Sequence, residues 1–178
     1  MVHYGKNNAE RRHGCAQLLE NCLGARCYIP KEVKAEVREG ISVYPILKSH
    51  LEEVLNAEWL RELVIEDLED LRLFARLKLR WGKADRNDGE AAALVLARRH
   101  NLIAVIDDPV GRKAAQRYGI ECIGTVGLLA SFVVAGFIDV EEAWVIHEQM
   151  IELADRPYRS PVKNKSDFDK LVGNTADL

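Results

Sequence analysis

Four carboxylates stand where this sequence could do chemistry. Asp88 and Glu90 open an alanine-rich segment, and Asp107 and Asp108 follow the apolar run Leu102-Ile103-Ala104-Val105-Ile106. The first pair falls in the first turn of an expected helix and the second at the carboxyl end of an expected strand, so the two clusters bracket one βα unit. Hard divalent cations such as Mg²⁺ or Mn²⁺ take oxygen ligands and keep several waters, which suits two or three carboxylates around a phosphate-processing ion. Such an ion would activate water for phosphodiester cleavage without a side-chain nucleophile. Each acid also has a plain structural role open to it. Asp88 suits a helix N-cap, Glu90 the positive end of a helix dipole, and Asp107-Asp108-Pro109 a turn that caps the next helix.

The elements that must position these acids are read from hydrophobic spacing. Residues 9 to 23 carry one apolar stripe, with Gly24 as a stop, and Arg26 to Ile29 reads as a strand. Pro30 then starts a helix that Gly40 closes. A strand at Ile41 to Tyr44, a helix through Leu47, Leu51, Val54 and Leu55, and strand character from Trp59 to Ile65 follow. Helical spacing returns from Leu68 to Trp81 before the polar break after Gly82. The second half alternates cleanly: helix Asp88 to His100, strand Leu102 to Ile106, helix Gly111 to Tyr118 closed by Gly119, strand Ile120 to Ile123, helix Gly127 to Ala135. A helix from Val140 to Ala154 precedes a tail in which Pro157 and Pro161 predict a turn and then a short helix. The alternation predicts an α/β fold with a mainly parallel sheet, helices on both faces, and sites at the carboxyl ends of the strands.

Composition narrows the classes. A hydrophobic fraction of 48% with 30% charged residues supports one folded core and excludes a disordered chain, while a net charge of -3 makes any nucleic-acid contact depend on a local basic patch. The cysteines, Cys15, Cys22, Cys27 and Cys122, form no C-x-x-C pair and read as reduced, small apolar residues rather than a zinc site. No apolar run approaches the roughly 20 residues that span a bilayer, so the expectation is a cytoplasmic protein. Trp59, Trp81 and Trp144 are expected in the core or an interface, and His100 and His147 on helix surfaces.

The stretch from Asn87 to Ile138 carries a family resemblance: Asp88-Gly89-Glu90, an alanine-rich helix, Asp107-Asp108 with Arg112 and Ala115, Gly119, and Gly124-Thr125-x-Gly127-Leu128-Leu129. It resembles the PIN-domain proteins related to VapC-type toxin ribonucleases. A weaker match covers Leu18 to Gly40, where Tyr28-Ile29-Pro30, Val33 and Glu36-Val37 look like the family's strand-proline-helix with an acid. The resemblance implies a three-layer α/β/α sandwich and Mg²⁺- or Mn²⁺-dependent cleavage of single-stranded RNA. Glu36, Glu90 and Asp108 match the family acids, and Asp88 and Asp107 are close enough to share their metal-binding roles. Arg112 and Thr125 fall where phosphate contacts are expected. Toxin activity paired with an antitoxin protein, and a homodimer, are further implications. The expected division is a PIN-like domain over 1–155 and a C-terminal extension over 156–178 that packs on it or frays.

One feature departs from the family. PIN nucleases open with an apolar strand ending in aspartate, whereas this sequence has Val2-His3-Tyr4-Gly5-Lys6-Asn7 and no aspartate before Asp67. Either the sequence lacks an upstream strand or the protein has lost that carboxylate, with Asn7 or Asn8 as a poor neutral substitute. Two functions from different classes therefore stand: a nuclease, and a PIN-like RNA- or protein-binding module with an impaired site. A phosphoacceptor domain using Asp107 or Asp108 fits less well, because the strong features lie in the second half. Arg11, Arg12, Arg98, Arg99 and Arg112 are the expected basic rim for RNA.

Overall fold

The alternating pattern is realised as nine helices and four short strands among the described residues. The structure, a computed structural model, describes residues 8–43, 48–81, 87–153 and 160–176. The opening Val2 to Asn7 stretch, Tyr44, Leu47, Ala154, Pro157 and the polar break after Trp81 lie outside them, as do the side chains of Asn8, Arg11, Arg12, His13 and Cys15. The elements run α1 (Asn8–Leu23), β1 (Cys27–Pro30), α2 (Lys31–Val43), α3 (Lys48–Leu55), β2 (Leu60–Leu63), α4 (Leu68–Trp81) and α5 (Asp88–His100). They continue as β3 (Ala104–Val105), α6 (Pro109–Tyr118), β4 (Cys122–Ile123), α7 (Thr125–Val134), α8 (Val140–Leu153) and α9 (Lys165–Ala176).

Both strand pairs run parallel, as the alternation demands. β1 pairs with β2 from Cys27↔Leu60 to Pro30↔Leu63. Pro30 is thus the last residue of a strand rather than the first of a helix, a position that tolerates its missing N–H. β3 and β4 are joined by the N–H of Ala104 to the Glu121 carbonyl and that of Ile106 to the Ile123 carbonyl, a register that advances together on both strands. The expected strand at Ile41 to Tyr44 does not form. α2 runs through Gly40 to Val43, because Ile41 extends the Val33 and Val37 stripe and is buried against Ile29 and Leu55. That packing outweighs the roughly 1 kcal/mol by which an interior glycine disfavours a helix.

Two compact units are distinguished: residues 1–104 with 108–121, and residues 105–107 with 122–178. In the first, α5 is the central element, packed against α2, α4, β1 and α6. Ala91, Ala92, Leu94, Val95, Leu96 and Ala97 are all buried, and the alanines allow neighbouring helices to come close. α6 ends at Gly119, whose φ of 63° is the left-handed cap that glycine adopts without strain, and its N–H returns to the Ala115 and Gln116 carbonyls.

In the second unit α7 buries Val126, Leu129, Ala130 and Phe132 and packs against α8 and α9. The helix expected in the tail is the twelve-residue α9, held by a fully buried Phe168 and by a Lys165–Glu141 ion pair at 2.5 Å. His147 is not a surface residue: it is wholly buried beside Trp144 and Phe168, with Nε2 2.7 Å from the Ser160 hydroxyl. Its helical spacing looked polar, but α9 covers that face. Burial also holds its pKa below the ordinary imidazole value, partly opposed by the charge of Glu148.

Candidate metal centre

The amino terminus of α5 gathers the acids of the first unit. Its N-cap residue, Asn87, has a left-handed backbone (φ 73°) and makes no side-chain cap. The first-turn donors are therefore left to outside acceptors. One comes from α2: Glu36 Oε1 accepts the Gly89 N–H at 2.9 Å. The approach is close enough that only glycine fits, since a Cβ at position 89 would lie 2.7 Å from Glu36 Oε2 and 2.8 Å from Val33 Cγ2. Val33 and Val37 bind α2 to the core, which brings the intervening Glu36 against α5.

Glu90 is half-buried in that first turn. Its carboxyl is held above the ordinary value by desolvation first, then by the negative charges of Asp108 and Glu36. No hydrogen bond or cation reaches its carboxylate among the described residues. Asp108, the N-cap of α6, accepts the Val110 and Gly111 N–H groups with Oδ2 at 2.7 and 2.8 Å, with Pro109 at the first helical position. Glu36 and Asp108 are each anchored through one oxygen to a backbone donor, while Glu90 is not. Like charges are thereby brought within electrostatic reach of a half-buried acid, an arrangement that favours a bound cation.

The other expected ligands have partners of their own. Asp88 forms an ion pair with Lys78 of α4 at 2.5 Å. Asp107 accepts from the Thr125 N–H at 2.8 Å and from the Thr125 hydroxyl at 2.5 Å, which caps α7 and starts it two residues before Gly127. Thr125 thus has its hydroxyl engaged. Arg112 is exposed one turn into α6 and forms no ion pair among the described residues. Arg98 and Arg99 do not rim the acids. They occupy the last turn of α5, opposite Asp88 and Glu90, and Arg99 reaches Asp67 and Asp70 at 3.4 and 3.6 Å. Sequence reasoning missed Lys78, for which no motif exists, and Gly89, which a glycine between two acids in a first helical turn does signal.

The donors are all carboxylate oxygens, which fits a hard divalent ion and not zinc or copper. Among the described residues no three or more His, Cys, Asp or Glu side chains close into a coordination sphere. A looser acidic set suits an ion that keeps its waters, as Mg²⁺ does when bound through one or two carboxylates.

With this geometry in place, comparison with known families is informative: residues 12–163 match the PIN domain. The chain belongs to the PIN-domain family, a nuclease fold, and its parallel strands between helices are the α/β/α class of that fold. Comparison with curated proteins and with solved structures gave no match. No helix among the described residues is long and apolar enough to cross a membrane.

Proposed function

We propose that this PIN-domain chain is a divalent-metal-dependent endoribonuclease that cleaves phosphodiester bonds of single-stranded RNA. The observation that carries this is Glu90, half-buried, without a counter-charge among the described residues, and facing the charges of Asp108 and Glu36. Glu36, Glu90 and Asp108 would hold Mg²⁺ or Mn²⁺, while Asp88 is engaged by Lys78 and Asp107 by Thr125. When bound, the ion supplies an activated water and stabilises charge on the phosphate. The chain's own contribution is orientation. Gly89 fixes Glu36 through its N–H, and Val110 and Gly111 fix Asp108, so two carboxylates are held while Glu90 is free to adjust. Arg112 is the better of the two expected phosphate contacts, because its guanidinium forms no ion pair among the described residues while the Thr125 hydroxyl is held by Asp107.

Family membership supports toxin activity, an antitoxin protein and a second copy of this chain as partners, and the cytoplasm as the compartment. The proposed division is a PIN-like domain over 1–155 with 156–178 as its extension, whereas the family match runs over 12–163. A second reading, an impaired site serving an RNA- or protein-binding module, is favoured by the absence of an aspartate before Asp67 and of a closed acidic group among the described residues. Cleavage of a labelled single-stranded RNA in Mn²⁺ or EDTA separates them, comparing the chain with Asp108→Asn, which keeps a cap acceptor, and Glu90→Gln. Mn²⁺-dependent cutting lost in both variants is the expected result. No cutting and no Mn²⁺ binding by calorimetry would transfer the conclusion to the binding module.

A further inference from the structure

α4, with Leu73 and Leu77 buried, lies against α5, and Tyr118 at the end of α6 lines the space beside them. The result is a groove of about 570 Å³ with Leu73 in its wall and Arg76, Arg98, Arg99 and Tyr118 around it. Two acids also line it, but both are matched: Glu69 pairs with Arg72, and Asp70 with Arg99. Arg76 and Arg98 are exposed and meet no carboxylate among the described residues, which leaves two guanidiniums uncompensated beside a half-buried tyrosine. Arg98 stands eight residues beyond Glu90 on one helix, about 12 Å along its axis. The groove is therefore separate from the acids.

Guanidinium forks match phosphate oxygens, and an aromatic ring offers a stacking face to any base, so the two together recognise a single-stranded nucleic acid rather than a lone anion. An acidic peptide would satisfy the arginines but gain little from the ring. We infer that this groove of α4, α5 and α6 is a second strand-binding site, where Arg76 and Arg98 hold backbone phosphate and Tyr118 stacks a base. The choice of RNA as the strand rests on the nuclease reading; the groove's charge and shape do not. A strand seated there would be held at a point remote from the acids, and long substrates would bind better than short ones.

The test is anisotropy of a labelled oligouridylate of about ten nucleotides in EDTA over a range of salt, a length matched to common single-strand sites. Arg76→Gln with Arg98→Gln should weaken binding about tenfold at low salt and lower the salt slope by about 1.4, the value for two phosphate contacts on a single strand. The paired lysine variants should retain the slope, and Tyr118→Leu should weaken binding without changing it. An unchanged affinity and slope in the glutamine pair would overturn the proposal, as would no binding by the unaltered chain or tighter binding of an oligoglutamate of equal length. Failure of the nuclease reading looks different. If no form cuts RNA in Mn²⁺ but the arginine variants lose binding in EDTA, the groove stands and catalysis falls.

Discussion

Gly89→Ala is the sharpest test of how this site is built. Alanine is the better helix former by about 1 kcal/mol, so helix propensity alone predicts a more stable protein. The structure predicts the reverse. The new Cβ would meet Val33 Cγ2 at 2.8 Å and Glu36 Oε2 at 2.7 Å. The carboxylate is the end of a flexible chain and can swing away, at the loss of its bond to the Gly89 N–H. Val33 is different: a β-branched residue in a helix has one strongly preferred rotamer, so α2 itself must shift. Overpacking costs about 1–3 kcal/mol and loss of a charge-assisted hydrogen bond adds about 1–2 at a partly exposed site. After the propensity gain, the net is destabilisation of about 2 kcal/mol, or roughly a 1 M fall in the urea midpoint. Urea denaturation followed by circular dichroism reads this. In a Val33→Ala background the cost of Gly89→Ala should fall by at least half, because only Glu36 then has to move. Equal or greater stability of the single variant would refute the close approach of α2 and α5.

Other outcomes follow from the same geometry. Glu90 has a raised folded-state pKa, so its stability contribution is full below the ordinary carboxylate value of about 4.3 and lost as pH rises through the folded value. Glu90→Gln should therefore be more stable than the unaltered chain at neutral pH and lose that advantage in acid, as thermal melts across pH would show; an equal melting temperature at pH 7 would count against the crowding of acids. Asp88→Asn, which breaks only a partly exposed ion pair with Lys78, should cost less than about 1 kcal/mol and leave Mn²⁺ affinity by calorimetry unchanged, unlike Glu90→Gln. His147 has a depressed pKa, so stability is full above the ordinary value of about 6.5 and is lost as pH falls through the folded value. His147→Gln, which keeps a partner for Ser160, should flatten the melting profile between pH 5 and 7, and an unchanged slope there would show that the imidazole is not the cause.

Much of the architecture was legible because its signals are local. The long helices α4 and α5 were legible from helical spacing and the polar break between them, and Gly119 marked the end of α6. Errors arose where a distant partner decided the outcome. Gly40 is a good local stop, yet Ile41 found Ile29 and Leu55 and the helix continued. Gly124-Thr125 reads as the opening of α7 with Gly127 as its first helical residue, but the Asp107 carboxylate captures Thr125 and the helix begins there. His147 lay on a face that only α9 reveals to be covered. The site was legible as a set of acids and not as an arrangement, since pairing with Lys78 or Thr125 leaves no trace in spacing.

Elementary geometry explains why each acidic pair divides its duties. Asp88 and Glu90 are two residues apart on a helix, about 200° around its axis, so they cannot serve one point together. One meets Lys78 on α4, and the other faces the charges of Glu36 and Asp108. Asp107 and Asp108 follow a strand, where consecutive side chains point to opposite faces. One caps α7 through Thr125, and the other caps α6 through Val110 and Gly111. Of the four acids, Glu90 is the one without such a partner among the described residues, and it lies within electrostatic reach of Glu36 and Asp108. Capping would not compete with the proposed metal binding at Asp108 or Glu36, because a carboxylate has two oxygens and the backbone donors engage only one. The same bonds that finish the helices hold the remaining oxygens in fixed places, while Glu90 carries the electrostatic cost that a cation would relieve.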